Sequence, residues 1–213
     1  MGLINPRTTT SSSASTSTTS SSSSSSSAAS AAAASVTSSA SASSAPRYKD
    51  FETCYPLGDP NTIKDDPVGL CNHGWIENTC AVRMSHTFNC VAKKLGSKFL
   101  IPPRPNQHIV ACKGDLKGQK VIYRVRELKP EIEKILGKPI IFKGKGSEGR
   151  GVDVSELAGR KGVIYFDTTG YWGDATGHFD LWTGSYIYAK GNVPQTTQHH
   201  FAISKAVYFW PLA

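Results

Sequence analysis

Between Thr8 and Ala45 the chain holds only Ser, Thr, Ala and a single Val36, without one charge. Such a stretch cannot bury enough apolar surface to offset the entropy of ordering it. Its serine runs also compete with the helix that the alanines favour. Residues 1–46 are therefore expected to be a disordered tail. Whatever folds must be built from residues 47–213, the length of one ordinary domain with a real core.

The formal net charge is +8. Basicity of this size suits an anionic partner such as a cell-wall polymer, or serves solubility alone. No recognition motif or dense Lys/Arg helix accompanies it, so no nucleic acid is expected as partner. No apolar run is long enough for a membrane span, and no membrane partner is expected. The opening MGLINPRTTT lacks the apolar segment of a secretory signal. Pro6 stands where a myristoylation site needs Ser or Thr. Secretion is expected by a non-classical route.

The first strongly periodic segment is NTCAVRMSHTFNCVAKKLG. A helix is expected from Asn78 or Thr79 to Leu95, opened by a polar cap and closed by Gly96. At about 100° per residue, Cys80, Met84, Thr87, Phe88, Val91 and Leu95 share one buried stripe. Residues 46–76, rich in Pro, Gly, Asp and Asn, read as loops. KVIYRVREL opens with a short strand. A second helix follows over about Lys129–Leu136, with Pro130 in its first turn and Gly137 at its end. KGKGSEGRG lacks the Gly-Lys-Ser/Thr ending of a phosphate-binding loop. GVIYFD, GHFDLW, SYIYAK and AVYFW read as strands. A Thr183-Gly184 turn would place Trp182 opposite Ser185, and His178 opposite Ala189. Helices first and antiparallel strands later make an α+β domain.

Five cysteines are present: Cys54, Cys71, Cys80, Cys90 and Cys112. With Cys80 set aside, the other four suffice for two disulfides in an oxidising compartment, with their pairing open. Cys80 itself falls at the start of a helix. There the macrodipole and unpaired N–H groups favour thiolate, and the same N–H groups can stabilise an oxyanion. A cysteine hydrolase also needs an imidazole to take and return the proton. His86 faces away around the helix, His199 and His200 fall in a QTTQHH loop without a rigid frame, and His73 and His108 lie in or beside loops. His178 is different. In GHFDLW, Phe179 and Leu181 point to one face, while His178, Asp180 and Trp182 point to the other.

ENTCAVRMSHTFN, followed about a hundred residues later by GHFDLW, resembles the fourth group of type VI secretion amidase effectors. That family carries N-x-C-x-x-R-M-S around its nucleophile and G-H-x-x-L-W around its base. YRV, LGKP, GRKGVI and a final Trp-Pro strand are also similar, and the likeness runs from about Tyr48 to Pro211. It implies an NlpC/P60-like, papain-type fold, with the nucleophile helix packed on an antiparallel sheet. It also implies cleavage of bacterial peptidoglycan between D-glutamate and meso-diaminopimelate, without a cofactor. Cys80 would form the thioester and His178 would activate thiol and water. Arg83 and Ser85 match the family's R-M-S without a catalytic role, Arg83 serving to anchor a loop or a substrate carboxylate. The partners implied are peptide stems in a target periplasm or outside the cell, and a cognate immunity protein if the source is bacterial. The Ser-rich tail leans instead toward a eukaryote that has adopted the gene.

One position departs from the family. Its third catalytic group is an Asp eleven residues after the His, and here that residue is Ala189. Asp180, on the His178 face, is the first substitute, and Asn192, beyond a longer turn, is the second. Two rival functions remain. In a zinc hydrolase, Cys71 with His73, or His178 with Asp180, would supply ligands. In a non-catalytic wall-binding module, the basic surface with Trp75, Trp172, Trp182 and Trp210 would make the contacts.

Overall fold

The computed structural model describes residues 45–102, 108–172, 175–190 and 194–213. Nearly all of the expected tail, and Asn192, lie outside them. Eleven principal elements follow in order: α1 (Tyr48–Cys54), α2 (Pro60–Asp65), α3 (Cys80–Leu95), β1 (His108–Val110), β2 (Lys120–Ile122), α4 (Val125–Leu136), β3 (Ile140–Lys143), β4 (Gly162–Trp172), β5 (Ala175–Trp182), α5 (Pro194–Ile203) and β6 (Ala206–Pro211). β1 and β2 form a small antiparallel pair. The main sheet has the order β3-β6-β4-β5, with antiparallel neighbours throughout and β5 at an edge. This is the mixed, antiparallel architecture that the sequence pattern predicts.

α3 begins and ends where its sequence dictates. The Asn78 side chain accepts the Cys80 N–H at 3.1 Å, satisfying one of the donors that a helix start leaves without a partner. Gly96 stops the helix at φ +111°, a conformation that side chains with a Cβ rarely adopt. Its face toward the main sheet carries Ala81, Met84, Phe88 and Val91, which pack with Phe51, Val163, Phe179 and Leu181. Phe88 is fully buried and meets Phe51 edge to face at 5.0 Å. Burial of such a ring is worth roughly 1.5–3 kcal/mol, and cutting it to Ala costs about 3–5 kcal/mol. The opposite face of α3 is covered too. Val82 joins Ile63, Val68, Leu70, Ile76 and Val121 in a smaller core under α2 and β2. α3 is thus buried nearly all round, more than its stripe suggests, and only its end leaves the core, with Leu95 exposed.

Four readings of the sequence are corrected. α1 and α2 occupy the segment expected to be loops: Tyr48, Phe51 and Cys54 fall at helical spacing, and Asp59 caps α2 by accepting from the Asn61 and Thr62 N–H groups. α4 starts at Val125, four residues early, so Pro130 lies inside it. Val125, Leu128 and Ile132 make a helical stripe that packs into the main core and carries the helix through the missing proline N–H. SYIYAK is no strand. Thr183 to Tyr186 form a four-residue loop, Trp182 bridges to Ile187, and a single 3₁₀ turn follows at Tyr188–Lys190. QTTQHH, finally, lies in α5.

The outward face expected of β5 is also a core. Ile164, Phe166, Trp182, Val207 and Phe209 pack with Phe201 of α5 and with Leu157. Trp182 is fully buried and donates its indole N–H to the Leu157 carbonyl at 2.9 Å. The sheet is therefore covered on both faces, by α1, α3 and α4 on one side and by α5 on the other. Two disulfides, Cys54–Cys90 and Cys71–Cys112, tie α1 to α3 and the loop before α3 to the segment after β1. They resolve the pairing that the sequence left open and leave Cys80 as the free cysteine.

Candidate active site

Cys80 opens α3, and His178 and Asp180 project from β5. Because β5 is the sheet edge, the start of α3 reaches its side chains without crossing another strand. Cys80, His178, Tyr55, Gly58, Arg83 and His200 all line one cavity of about 570 Å³. Gly177, just before His178, has no room for a side chain, since a Cβ there would collide with the Tyr165 ring and the Phe166 carbonyl of β4.

His178 and Asp180 lie on the same face, two residues apart, as the alternation predicts. Nε2 of His178 stands 3.4 Å from Oδ2 of Asp180, which leaves Nδ1 as the nitrogen available to a thiol. Asp180 is fully buried. Its other oxygen, Oδ1, accepts the Leu181 N–H at 2.7 Å and the Ala189 N–H at 3.0 Å. Those bonds fix the carboxylate. They also correct the expected register: Ala189 stands beside Asp180, not opposite His178, because the loop after Trp182 is two residues longer than a tight turn. Asn192, the alternative third group, falls outside the described residues.

Burial works to lower the His178 pKa, but hydrogen bonds to Asp180 and to the Cys80 sulfur outweigh it, and the pKa is raised to about 9. Tyr55 is driven the other way from ionisation. Burial first, then the Asp180 charge, hold its hydroxyl well above its ordinary pKa, so it remains a neutral donor.

His200 is the residue that sequence reasoning missed. Its ring centroid lies 4.7 Å from that of His178, and its Nδ1 is 2.8 Å from the Thr196 carbonyl. Burial and the neighbouring His178 charge lower its pKa to about 4, which keeps it neutral. The signal was present but faint. Pro194 opens α5, and Thr197, His200, Phe201 and Ile203 are buried along it. Two of these four are polar.

Arg83 and Ser85 hold the frame. The Arg83 guanidinium donates to the carbonyls of Pro56 and, at 2.7 Å, Gly58, anchoring the loop that walls the cavity. Ser85 Oγ accepts the Ile122 N–H at 3.0 Å and so holds β2 against α3. His86 faces away from Cys80, as expected, but it is buried, and burial lowers its pKa to about 4.

The zinc pairs are otherwise engaged. Cys71 is bonded to Cys112, and Nε2 of His73 lies 3.1 Å from Asp65. Among the described residues, no group of three or more His, Cys, Asp or Glu is placed to hold a metal ion. Of the tryptophans proposed as wall contacts, Trp182 and Trp210 are buried and Trp75 is exposed. The Trp172 side chain is outside the described set. No helix among the described residues is long and apolar enough to cross a membrane.

An antiparallel sheet with a helix-start thiol facing a strand imidazole suits acyl transfer from an amide. Residues 76–210 match the family model of type VI secretion system amidase effector protein 4, Tae4. The chain belongs to this Tae4 family of amidase effectors. Its fold resembles that of the Tae4 component of an effector–immunity system, Tae4/Tai4, from Salmonella typhimurium. The identity is 21%, the match covers 79% of this chain and 99% of that one, and the TM-score is 0.54. A second type VI Tae4–Tai4 complex from Salmonella Typhimurium gives 20% identity over 79% and 99% of the two chains, with a TM-score of 0.51. At these identities the likeness speaks for the fold. No curated protein matches in sequence.

Proposed function

We propose that this chain is a cysteine amidase of papain-like, NlpC/P60 type that cleaves the D-glutamyl–meso-diaminopimelate amide of peptidoglycan stems. The observation that carries the reading is the shared cavity, in which the free Cys80 at the start of α3 meets His178, itself held by the buried Asp180. The Cys80 sulfur attacks the γ-carbonyl of the glutamyl residue, and the carbonyl π electrons move onto oxygen. As the tetrahedral intermediate collapses, the C–N bond breaks, and the His178 imidazolium gives its proton to the departing amine. A thioester remains. Water then attacks it while His178 takes the water proton, and the carboxylic acid leaves as the sulfur departs.

Asp180 is the orienting group, in place of the family's downstream Asp. Its carboxylate fixes the ring through Nε2 and favours the imidazolium. The Cys80 N–H already donates to Asn78, so an oxyanion draws on the next N–H groups of the helix or on the neutral Tyr55 hydroxyl. The Tai4 chains in the related complexes support a cognate immunity protein as partner. The site of action is a target cell's wall, reached by secretion. Mass spectrometry of muropeptides tests the reading. Wild type should release fragments ending in glutamate, and Cys80→Ala should release none. Cleavage at full rate by Cys80→Ala overturns the mechanism.

A further inference from the structure

Beside the catalytic cavity lies a second one, of about 600 Å³. Glu77 and Asn78 line both, so the two are neighbours, separated by the residues that lead into Cys80. Its walls are of a different kind. Trp75 is 59% exposed, although an indole gains more than most side chains from burial. The ring is nonetheless held. Tyr123 meets it edge to face, with centroids 4.9 Å apart and planes at 90°. Ile76 and Ile122, the immediate neighbours of this pair, are both buried, so the two aromatics stand on anchored backbone.

Beside Tyr123, the exposed Arg124 guanidinium lies 5.2 Å from the ring centroid, and it has no carboxylate partner among the described residues. Arg126 also lines the cavity, and its Nε bonds Glu127 at 3.2 Å. A fixed, exposed indole offers a flat face to a pyranose ring. Guanidinium is the side chain best matched to a carboxylate. Within a single stem, peptidoglycan bears both on one side of the scissile amide only. The glutamyl residue on the acyl side keeps a free α-carboxylate, and its N-terminal side runs through alanine to an N-acetylated amino sugar. The amine side of the same stem carries carboxylates but no sugar.

We propose that this second cavity is the subsite for the sugar-bearing acyl side of the stem. The amino-sugar ring stacks on Trp75, and the glutamyl α-carboxylate pairs with Arg124 and Arg126. The inference rests on the peptidoglycan reading above. It makes the enzyme a reader of the glycan-linked stem rather than of free peptide.

The test uses Cys80→Ala protein, which holds its ligand uncleaved, with two probes in calorimetric titration: a disaccharide tetrapeptide and the same tetrapeptide without sugars. The sugar-bearing probe should bind about tenfold more tightly. Trp75→Ala should abolish that difference while leaving the bare peptide unchanged, and Trp75→Tyr should retain most of it. Arg124→Gln should weaken both probes alike, by about tenfold. Trp75 is largely exposed, so its truncation leaves the core intact. Equal binding of the two probes, no binding of either, or a Trp75→Ala effect shared by both, overturns the subsite. Cleavage by the wild-type protein is scored separately. If both probes stay intact while the sugar-dependent binding holds, the amidase reading falls and the subsite stands.

Discussion

His178 and Asp180 face each other from the same strand, Nε2 to Oδ2 at 3.4 Å, with the carboxylate pinned by two backbone N–H groups. Strand alternation alone puts both side chains on one face. An imidazole oriented from within its own strand needs no partner from the next hairpin arm. Asp180→Asn should therefore lower kcat/KM by about 10²–10⁴-fold with the fold retained. Ala189→Asp should not raise activity. It places a second carboxylate beside Asp180, not opposite His178, and should lower stability instead. Paired steady-state kinetics and thermal melts check both variants.

The pH profile of activity carries the same signature. The imidazolium must give up its proton to the leaving amine, and His178 in the folded protein titrates at about 9. Activity should accordingly fall as pH rises through about 9. In Asp180→Asn the hydrogen bond to a charged partner is lost and burial, which acts in the opposite sense, gains weight. The alkaline limb of kcat/KM should then move to lower pH. An unchanged limb would remove His178 as the titrating group.

Stability should peak near neutrality. The folded pKa of His178 is raised from 6.5 to about 9, so its contribution is complete below 6.5 and lost as pH rises through 9. His86 and His200 are lowered from 6.5 to about 4, so their contributions are present above 6.5 and lost as pH falls through 4. Melting temperature against pH should fall on both sides of 6.5. His200→Gln should flatten the acid limb, and a slope identical to wild type would place the proton uptake elsewhere.

Before reduction, denatured protein should take up alkylating agent at one of its five cysteines, Cys80, and at all five afterwards. The Cys54–Cys90 bond spans 36 residues, and its removal by paired Ser substitutions should cost about 2–4 kcal/mol in chemical denaturation. Activity should fall beyond what the melt explains, because Cys54 directly precedes Tyr55 and the loop that receives Arg83.

Arg83→Ala should leave the Pro56 and Gly58 carbonyls without their buried donor. Hydrogen bonds to charged groups contribute about 1.5–3 kcal/mol each. Lower stability and a raised KM, with a smaller change in kcat, are expected from kinetics, since the residue shapes the wall and does not touch the reacting atoms.

By itself the sequence determined the beginning and end of α3, the position of Cys80 at its start, and the common face of His178 and Asp180. These are local matters: a cap, a glycine and a period of two act within a few residues. Tertiary structure decided the rest. The cysteine pairing, the register beyond Trp182 and the burial of both sheet faces depend on which distant segments meet, and periodicity carries no record of that. α5 shows the limit most clearly. Its buried residues Thr197, His200, Phe201 and Ile203 are half polar, too much so to announce a core helix. Only the sheet beneath it, with Phe166 and Trp182 facing outward, makes those residues interior and sets His200 against His178.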